Sequence, residues 1–251
     1  MLYLKPKSEA PQAPEGQAVS QPPDWPERLA ELAEQARHPA LQAYYRAGCV
    51  AADTPLEAAP LLAMDFETTG MDPAKDDIVS IGLLPMSLRR IRCAEASHWL
   101  IRPRGRLHED SVVIHRITHS ALHRAPDLLE ILEPLLEQMQ GRIGVVHHRG
   151  MERAFLDAAL RQRIGEGISF PLIDTMELEA RLHRNKPLGL WQRLRGQRPV
   201  SIRLGQSRAR YHLPFYRPHH ALTDALACAE LLQAQVAHRF SANTPLHELW
   251  C

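Results

Sequence analysis

The sequence predicts an α/β domain in which helices pack against a mixed sheet. An apolar run ends in Leu62-Ala63-Met64-Asp65-Phe66-Glu67, which reads as a buried strand closing on two carboxylates. Two further strand-like segments, Ile78 to Leu84 and Ala96 to Arg102, are joined by short polar connections that suit antiparallel neighbours. Beyond them helical and extended patterns alternate, as they do when helices cover a sheet.

Residues 1–26 hold six prolines (Pro6, Pro11, Pro14, Pro22, Pro23 and Pro26) among Ala, Gln, Glu and Ser. So little apolar surface cannot offset ordering entropy, and an extended or disordered arm is expected. From Pro26 the spacing of Leu29, Leu32, Ala33 and Ala36 is helical, and a second short helix is expected from Pro39 to Ala47. A linker with Pro55 and Pro60 leads to the strand of Asp65. After Pro126 an apolar stripe of Leu128, Leu129, Ile131, Leu132, Leu135, Leu136 and Met139 predicts an amphipathic helix, kinked at Pro134 and capped near Gly141. Ile143–Val146 reads as a short buried strand, 151–162 as a helix, Leu172–Asp174 as another strand start, and Ala221–His238 as the last helix.

The chain of 251 residues is 45% hydrophobic, ample for a packed core. Its net charge of +1 gives no composition-wide pull toward nucleic acid or a membrane surface. Charge is uneven, however: from Arg181 to Arg217 there are ten Lys or Arg residues and no Asp or Glu. That stretch includes Tyr211, Phe215 and Tyr216, and Arg with aromatics is the pairing that single-strand binders use for phosphates and bases. Cys49, Cys93, Cys228 and Cys251 are scattered, which argues against a disulfide framework or a zinc site. No run approaches the roughly 18 apolar residues of a membrane span, and the expected compartment is the cytoplasm.

Asp65 and Glu67 stand at i and i+2 of a strand, so their side chains share one face. Two carboxylates side by side at a buried strand end call for a cation between them. Asp224 lies in the last helix in largely apolar company, where a carboxylate becomes neutral, pairs with a cation or binds metal. His219, in the loop entering that helix, can reach the same space. Carboxylates select Mg²⁺ or Mn²⁺ over softer metals. Two such ions about 3.5 to 4 Å apart can serve phosphodiester hydrolysis, with a neutral His as general base near pH 7.

These residues fall in an order and spacing that resembles the DEDDh family of 3′-to-5′ exonucleases, over residues 61 to about 238. Its first motif stands as Asp65-Phe66-Glu67-Thr68-Thr69-Gly70 and its third as His219-His220-Ala221-Leu222-Thr223-Asp224-Ala225. Between them, His115-Arg116-Ile117-Thr118 and Ile173-Asp174-Thr175 match further family segments. The second motif departs from the family's Val-x-His-Asn-x-x-Phe-Asp and reads Val145-Val146-His147-His148-Arg149-Gly150-Met151-Glu152, with Glu152 at the Asp position. Glu keeps the charge and reaches about 1.5 Å further. Asp157 is no substitute, since five residues on a helix turn it roughly 140° away.

The resemblance implies an RNase H-like fold with a mixed five-stranded sheet flanked by helices. It implies two Mg²⁺ or Mn²⁺ ions per site held by Asp65, Glu67, Glu152 and Asp224, with His219 as base. Thr68, Thr69, Gly70 and His115 would contact substrate, whereas His147 and His148 are expected to be structural. The implied substrate is DNA or RNA with a free 3′ end, DNA favoured, cut to nucleoside 5′-monophosphates, and a DNA polymerase or a replication or repair protein is the implied partner. The alternative is a module of the same fold that lost catalysis and binds nucleic acid or a polymerase. The expected organisation is an arm and helical extension over 1–60, an exonuclease domain over 61–240 and a tail over 241–251.

Overall fold

The computed structural model describes residues 22–105, 117–184 and 199–251. The arm before residue 22, His115 and the basic residues Lys186, Arg193, Arg195 and Arg198 lie outside the described residues.

Strand β1 (Leu61–Thr68) occupies the centre of the sheet. Its first four residues are fully buried, as expected of a strand covered on both faces. β2 (Ile78–Ser87) pairs with it antiparallel and runs three residues past the expected end. The free edge of β2 carries two short antiparallel strands, β3 (Arg90–Ile91) and β4 (Ser97–Leu100). Because β3 and β4 share that edge, the sheet is five strands wide. On the other side of β1 lie β5 (Ile143–Val146) and then β6 (Leu172–Asp174), both parallel. This is the mixed sheet of the RNase H-like exonuclease fold.

The helices follow the expected apolar stripes, although Leu129 is an exposed member of its own. Helix α1 (Trp25–Gln35) starts from an Asp24 cap with Pro26 in its first turn, and α2 (Pro39–Arg46) starts on a proline. After α3 (His119–His123), the segment expected as one kinked helix is divided into a 3₁₀ turn (Leu128–Ile131) and α4 (Leu132–Met139). The division has a physical reason: it places Pro134 in the first turn of α4, where a missing N–H removes no intrahelical bond. Gly141 closes the segment at φ +69°. Then come α5 (Arg149–Ile164), α6 (Thr175–His183), α7 (Leu204–Arg210) and α8 (Ala221–Arg239), which packs across β1 and β2.

The two ends of the described chain join this core. Trp25, Leu29, Leu41, Tyr44 and Tyr45 belong to the same buried cluster as the sheet. The guanidinium of Arg153 lies 5.3 Å from the Trp25 ring and donates to the carbonyls of Phe170 and Cys251, tying α1, α5 and the tail together. Residues 52–57 and 242–247 exchange backbone hydrogen bonds. Trp250 bridges to Ile173, covering an edge of β6 that would otherwise offer unpaired backbone. Trp250 is only 2% exposed. Trp250→Ala is therefore expected to cost about 3–5 kcal/mol, read as a lower midpoint in urea denaturation.

Candidate active site

The carboxylates come from three separate parts of the fold. Asp65 faces Gly82 across the β1–β2 pair and Glu67 faces Ser80, so both carboxylates lie on one face of the sheet. A register shift between Glu67 and Thr68 ends the regular ladder at the site, a place where such irregularities re-aim side chains. Glu152 enters from the first turn of α5, where the helix N-terminus favours negative charge. Asp224 enters from the first turn of α8.

The structure brings His219 to Glu67 and Asp224: one ligand-type atom from each residue lies within 4.8 Å of the others. Asp65 stands beside this trio. Burial raises its carboxyl well above the ordinary range, and Glu152, Asp224 and Glu67 push it further in that order. Burial, then the charge of Asp224, raises Glu67 to about 8. Glu152 is 3% exposed, and burial followed by the charge of Asp174 lifts it to about 8. Asp224 is also raised by burial, against the lowering pull of the His219 amide. Among the described residues no Lys or Arg pairs with any of these four carboxylates, and Glu152 Oε2 has no hydrogen-bond partner. An oxygen-rich, cation-poor centre of this kind fits hard divalent ions.

Two strained residues flank the site. His219 has φ +69° and His148 has φ +115°, regions that cost a non-glycine residue roughly 1–3 kcal/mol. The His219 backbone N–H donates to Asp224 Oδ2 at 2.7 Å. The His148 and Arg149 N–H groups donate to the Asp174 carboxylate at 3.1 and 3.0 Å, and the same carboxylate caps α6 through the N–H groups of Met176 and Glu177. Asp174 thereby fixes the starts of α5 and α6 together.

His147 is structural, as expected: its ring nitrogens meet Thr175 Oγ1 and the Ile202 carbonyl, and burial lowers it to about 4. His148 acts through its backbone. Asp157 points away from the site, accepting from Arg161 and the Ile168 N–H. His115 lies outside the described residues.

The site opens on a cavity of about 890 Å³, of whose lining the buried Glu152 is not a part. Thr68, Thr69 and Gly70 line it beside Asp65, Glu67, Asp224 and His219. Their turn is held from behind: Thr69 Oγ1 meets Asp76 Oδ1, and a Cβ on Gly70 would fall 2.4 Å from the Asp76 carboxylate. The far wall comes from 203–218 and includes Arg203, Leu204, Leu213 and Phe215. Of the four large apolar side chains exposed among the described residues, Met71 (74%) and Phe215 (87%) both line this cavity.

The basic stretch divides in two. Arg208 is buried and donates to Glu230 and to the Ala227 and Pro214 carbonyls, while Arg210 pairs with the buried Glu179. Tyr211 and Tyr216 donate their hydroxyls to Glu179 and Glu230. These groups hold the wall in place rather than meeting phosphate. Arg203 and Phe215 are the members of the stretch that face the cavity without such ties among the described residues.

The model of the RNase_T exonuclease family matches residues 62–232. The chain is 26% identical over 181 residues to the DNA polymerase III subunit epsilon of Treponema pallidum, covering 72% of this chain and 78% of that one. It is 29% identical over 179 residues to the PolC-type DNA polymerase III of Thermotoga petrophila, covering 71% of this chain and only 12% of that relative's length. Among solved structures, the nuclease domain of 3'hExo, a DEDDh family member bound to rAMP, superposes with a TM-score of 0.58 at 15% identity, over 72% of this chain and 92% of that one. The chain belongs to the DEDDh, or RNase T, family of 3′-5′ exonucleases.

The raised carboxyls set a sign for pH dependence. A group lifted from its ordinary 4.5 to about 8 on folding contributes stability that is full below about 4.5 and lost as pH climbs through 8. Urea denaturation in EDTA should therefore show the wild type losing stability, on the order of a few kcal/mol, between pH 5 and 8. Mg²⁺ should restore much of that loss at pH 8, and Glu67→Gln should make the metal-free profile shallower, with Glu152 keeping part of the slope.

Proposed function

We propose that this chain removes nucleotides one at a time from the 3′ end of DNA, releasing nucleoside 5′-monophosphates with the help of two divalent cations. The observation that carries the proposal is the convergence of Asp65, Glu67, Glu152 and Asp224 beside His219, with no basic side chain paired to them among the described residues. Asp65, Glu67, Glu152 and Asp224 would hold Mg²⁺ or Mn²⁺, ions that neutralise charge on phosphoryl oxygens and acidify water when bound.

The chain's own residues do the rest. An imidazole nitrogen of His219 takes the proton of the attacking water. The position of His219 next to Glu67 and Asp224 supports that role, because the proton must leave from beside the carboxylates. Thr68, Thr69 and Gly70 hold the terminal nucleotide along the cavity floor, and His115 is retained as a substrate contact. Phe215 offers a flat apolar face to a base, and Arg203 a charge to a phosphate. A base drawn against such a wall has left its stack, which favours single-stranded or frayed ends.

DNA is preferred over RNA in this proposal because the sequence relatives are components of DNA polymerases. A polymerase or repair assembly is the corresponding partner. The exonuclease domain spans 61–240, with the helical extension before it and the tail after it. Within the described residues no helix is long and apolar enough to cross a membrane.

Purified protein with Mg²⁺ or Mn²⁺ and a 5′-labelled oligonucleotide should give a ladder of shortening products, faster with DNA than with the matched RNA. Absence of a ladder on either strand overturns the proposal. Asp65→Ala should slow turnover about 10³-fold, equivalent to about 4 kcal/mol of barrier. Glu152→Gln should lose most activity while Glu152→Asp keeps much of it; an unimpaired Gln variant would remove Glu152 from the site. His219→Ala should lower kcat and leave divalent-ion affinity close to wild type.

A further inference from the structure

The strained backbone of His219 is the least supported part of a site whose chemistry depends on it. It has no Gly to relieve its φ of +69°, and the helix that follows begins at His220 without a side-chain cap on the backbone. What holds this junction in place comes from across the sheet. In the β2–β4 pairing His98 stands opposite Gly82, and Gly82 in turn stands opposite Asp65. Asp65, Gly82 and His98 thus form one row across three strands, on the face where α8 begins.

At the middle of that row there is no side chain. A Cβ on Gly82 would lie 2.5 Å from the Ala221 carbonyl carbon and the Leu222 nitrogen. These are backbone atoms with no freedom to move aside, so the first turn of α8 rests directly on the sheet. At the end of the row, the His98 ring lies against the His220 ring, centroids 4.8 Å apart and planes tilted by 34°. His98 Nε2 is itself tied to Ser80 Oγ at 2.8 Å, so the ring is a fixed surface.

We propose that His98 is a positioning residue for His219: through its stack on His220, and with Gly82 leaving room for the helix start, it holds the His219 backbone in its left-handed conformation. The proposal rests on the role of His219 given above. His220 is the pivot. Its ring lies against His98 and meets Thr223 Oγ1 at 3.4 Å, its carbonyl accepts the Asp224 N–H at 2.9 Å, and the preceding N–H, that of His219, donates to the Asp224 carboxylate. Loss of the stack leaves the His220 ring with its long contact to Thr223 Oγ1, too weak to stop rotation, and the His219 N–H leaves Asp224.

The test reads that hydrogen bond directly, by hydrogen exchange of the His219 amide in the metal-free full chain. It is paired with kcat and KM on a 5′-labelled single strand in Mn²⁺. His98→Ala should speed His219 exchange by about tenfold or more. It should lower kcat by a similar factor, with KM within about twofold of wild type. His98→Phe keeps a ring against His220 without the bond to Ser80, and should return both quantities to within about threefold of wild type.

An unchanged His219 exchange rate in His98→Ala overturns the proposal, and so does His98→Phe as impaired as the alanine variant. Should His98→Ala lose its cooperative melt, Gly82→Ala decides instead. It should weaken Mn²⁺ binding by about tenfold or more, followed by electron paramagnetic resonance of the free ion. Mn²⁺ affinity and His219 exchange both at wild-type values in Gly82→Ala would overturn the proposal. The exchange measurement needs no turnover, so a chain lacking nuclease activity would refute the function proposed above and still leave this inference decided.

Discussion

The burial of four neighbouring carboxylates is the constraint around which this molecule is built. Asp65, Glu67, Glu152 and Asp224 are each pushed toward the neutral form, mainly by burial and then, for Asp65 and Glu67, by one another. A fold assembled for stability alone would interleave them with Arg or Lys, or replace them with apolar groups of similar size. Here two basic residues of the described chain, Arg208 and Arg210, pair elsewhere. They close on Glu230 and Glu179, and no Lys or Arg among the described residues pairs with the carboxylate cluster.

Those two arginines explain how the open side of the cavity stays rigid. The segment 203–218 has little regular structure beyond the short helix α7, and a wall of that kind would ordinarily be mobile. Buried Arg208 donates to the Pro214 carbonyl of the loop and to the Ala227 carbonyl and Glu230 carboxylate of α8, while Glu179 accepts from Arg210, Tyr211 and Gln235. The wall is thereby fastened to α6 and α8. Phe215 is left out of this network and projects into the cavity mouth. Rigid support beneath an exposed aromatic is the arrangement that stacking on a base requires.

What could be foreseen from the chain depended on whether the deciding interaction was local. Asp65 and Glu67 could be placed because strand periodicity alone puts i and i+2 on one face. The helix of Asp224 and the loop of His219 were visible for similar reasons, and Glu152 through its place in the second motif. Interactions spanning the chain were not. Asp174 was visible only as part of a matching segment, yet its carboxylate accepts from a backbone N–H 26 residues earlier in the chain. Gly82 sits in an ordinary apolar strand pattern, and only the approach of α8 reveals why no side chain is tolerated there. The run from Arg181 to Arg217 looked like one surface for phosphate, because burial of Arg208 depends on α8 packing against it. Pro134 marked a break correctly, but the break fell where the proline could join a first turn.

Glu152 is the point at which these strands of argument meet. Placed in the first turn of α5, it is held by a helix start that Asp174 fixes through the His148 and Arg149 N–H groups. That anchoring limits how far α5 can shift to adapt to a longer side chain, so the extra methylene must be absorbed within the pocket. Its Oε2 is buried with no hydrogen-bond donor, and Asp174 adds negative charge beside it. With burial raising the Glu152 carboxyl to about 8, the neutral form is favoured near neutral pH, and in the proposed site a divalent cation would have to displace that proton. Under the proposed metal role, the Glu for Asp exchange alters more than reach: proton and cation would compete for a buried oxygen, with the outcome decided by how well the cation offsets the charge that the rest of the site concentrates.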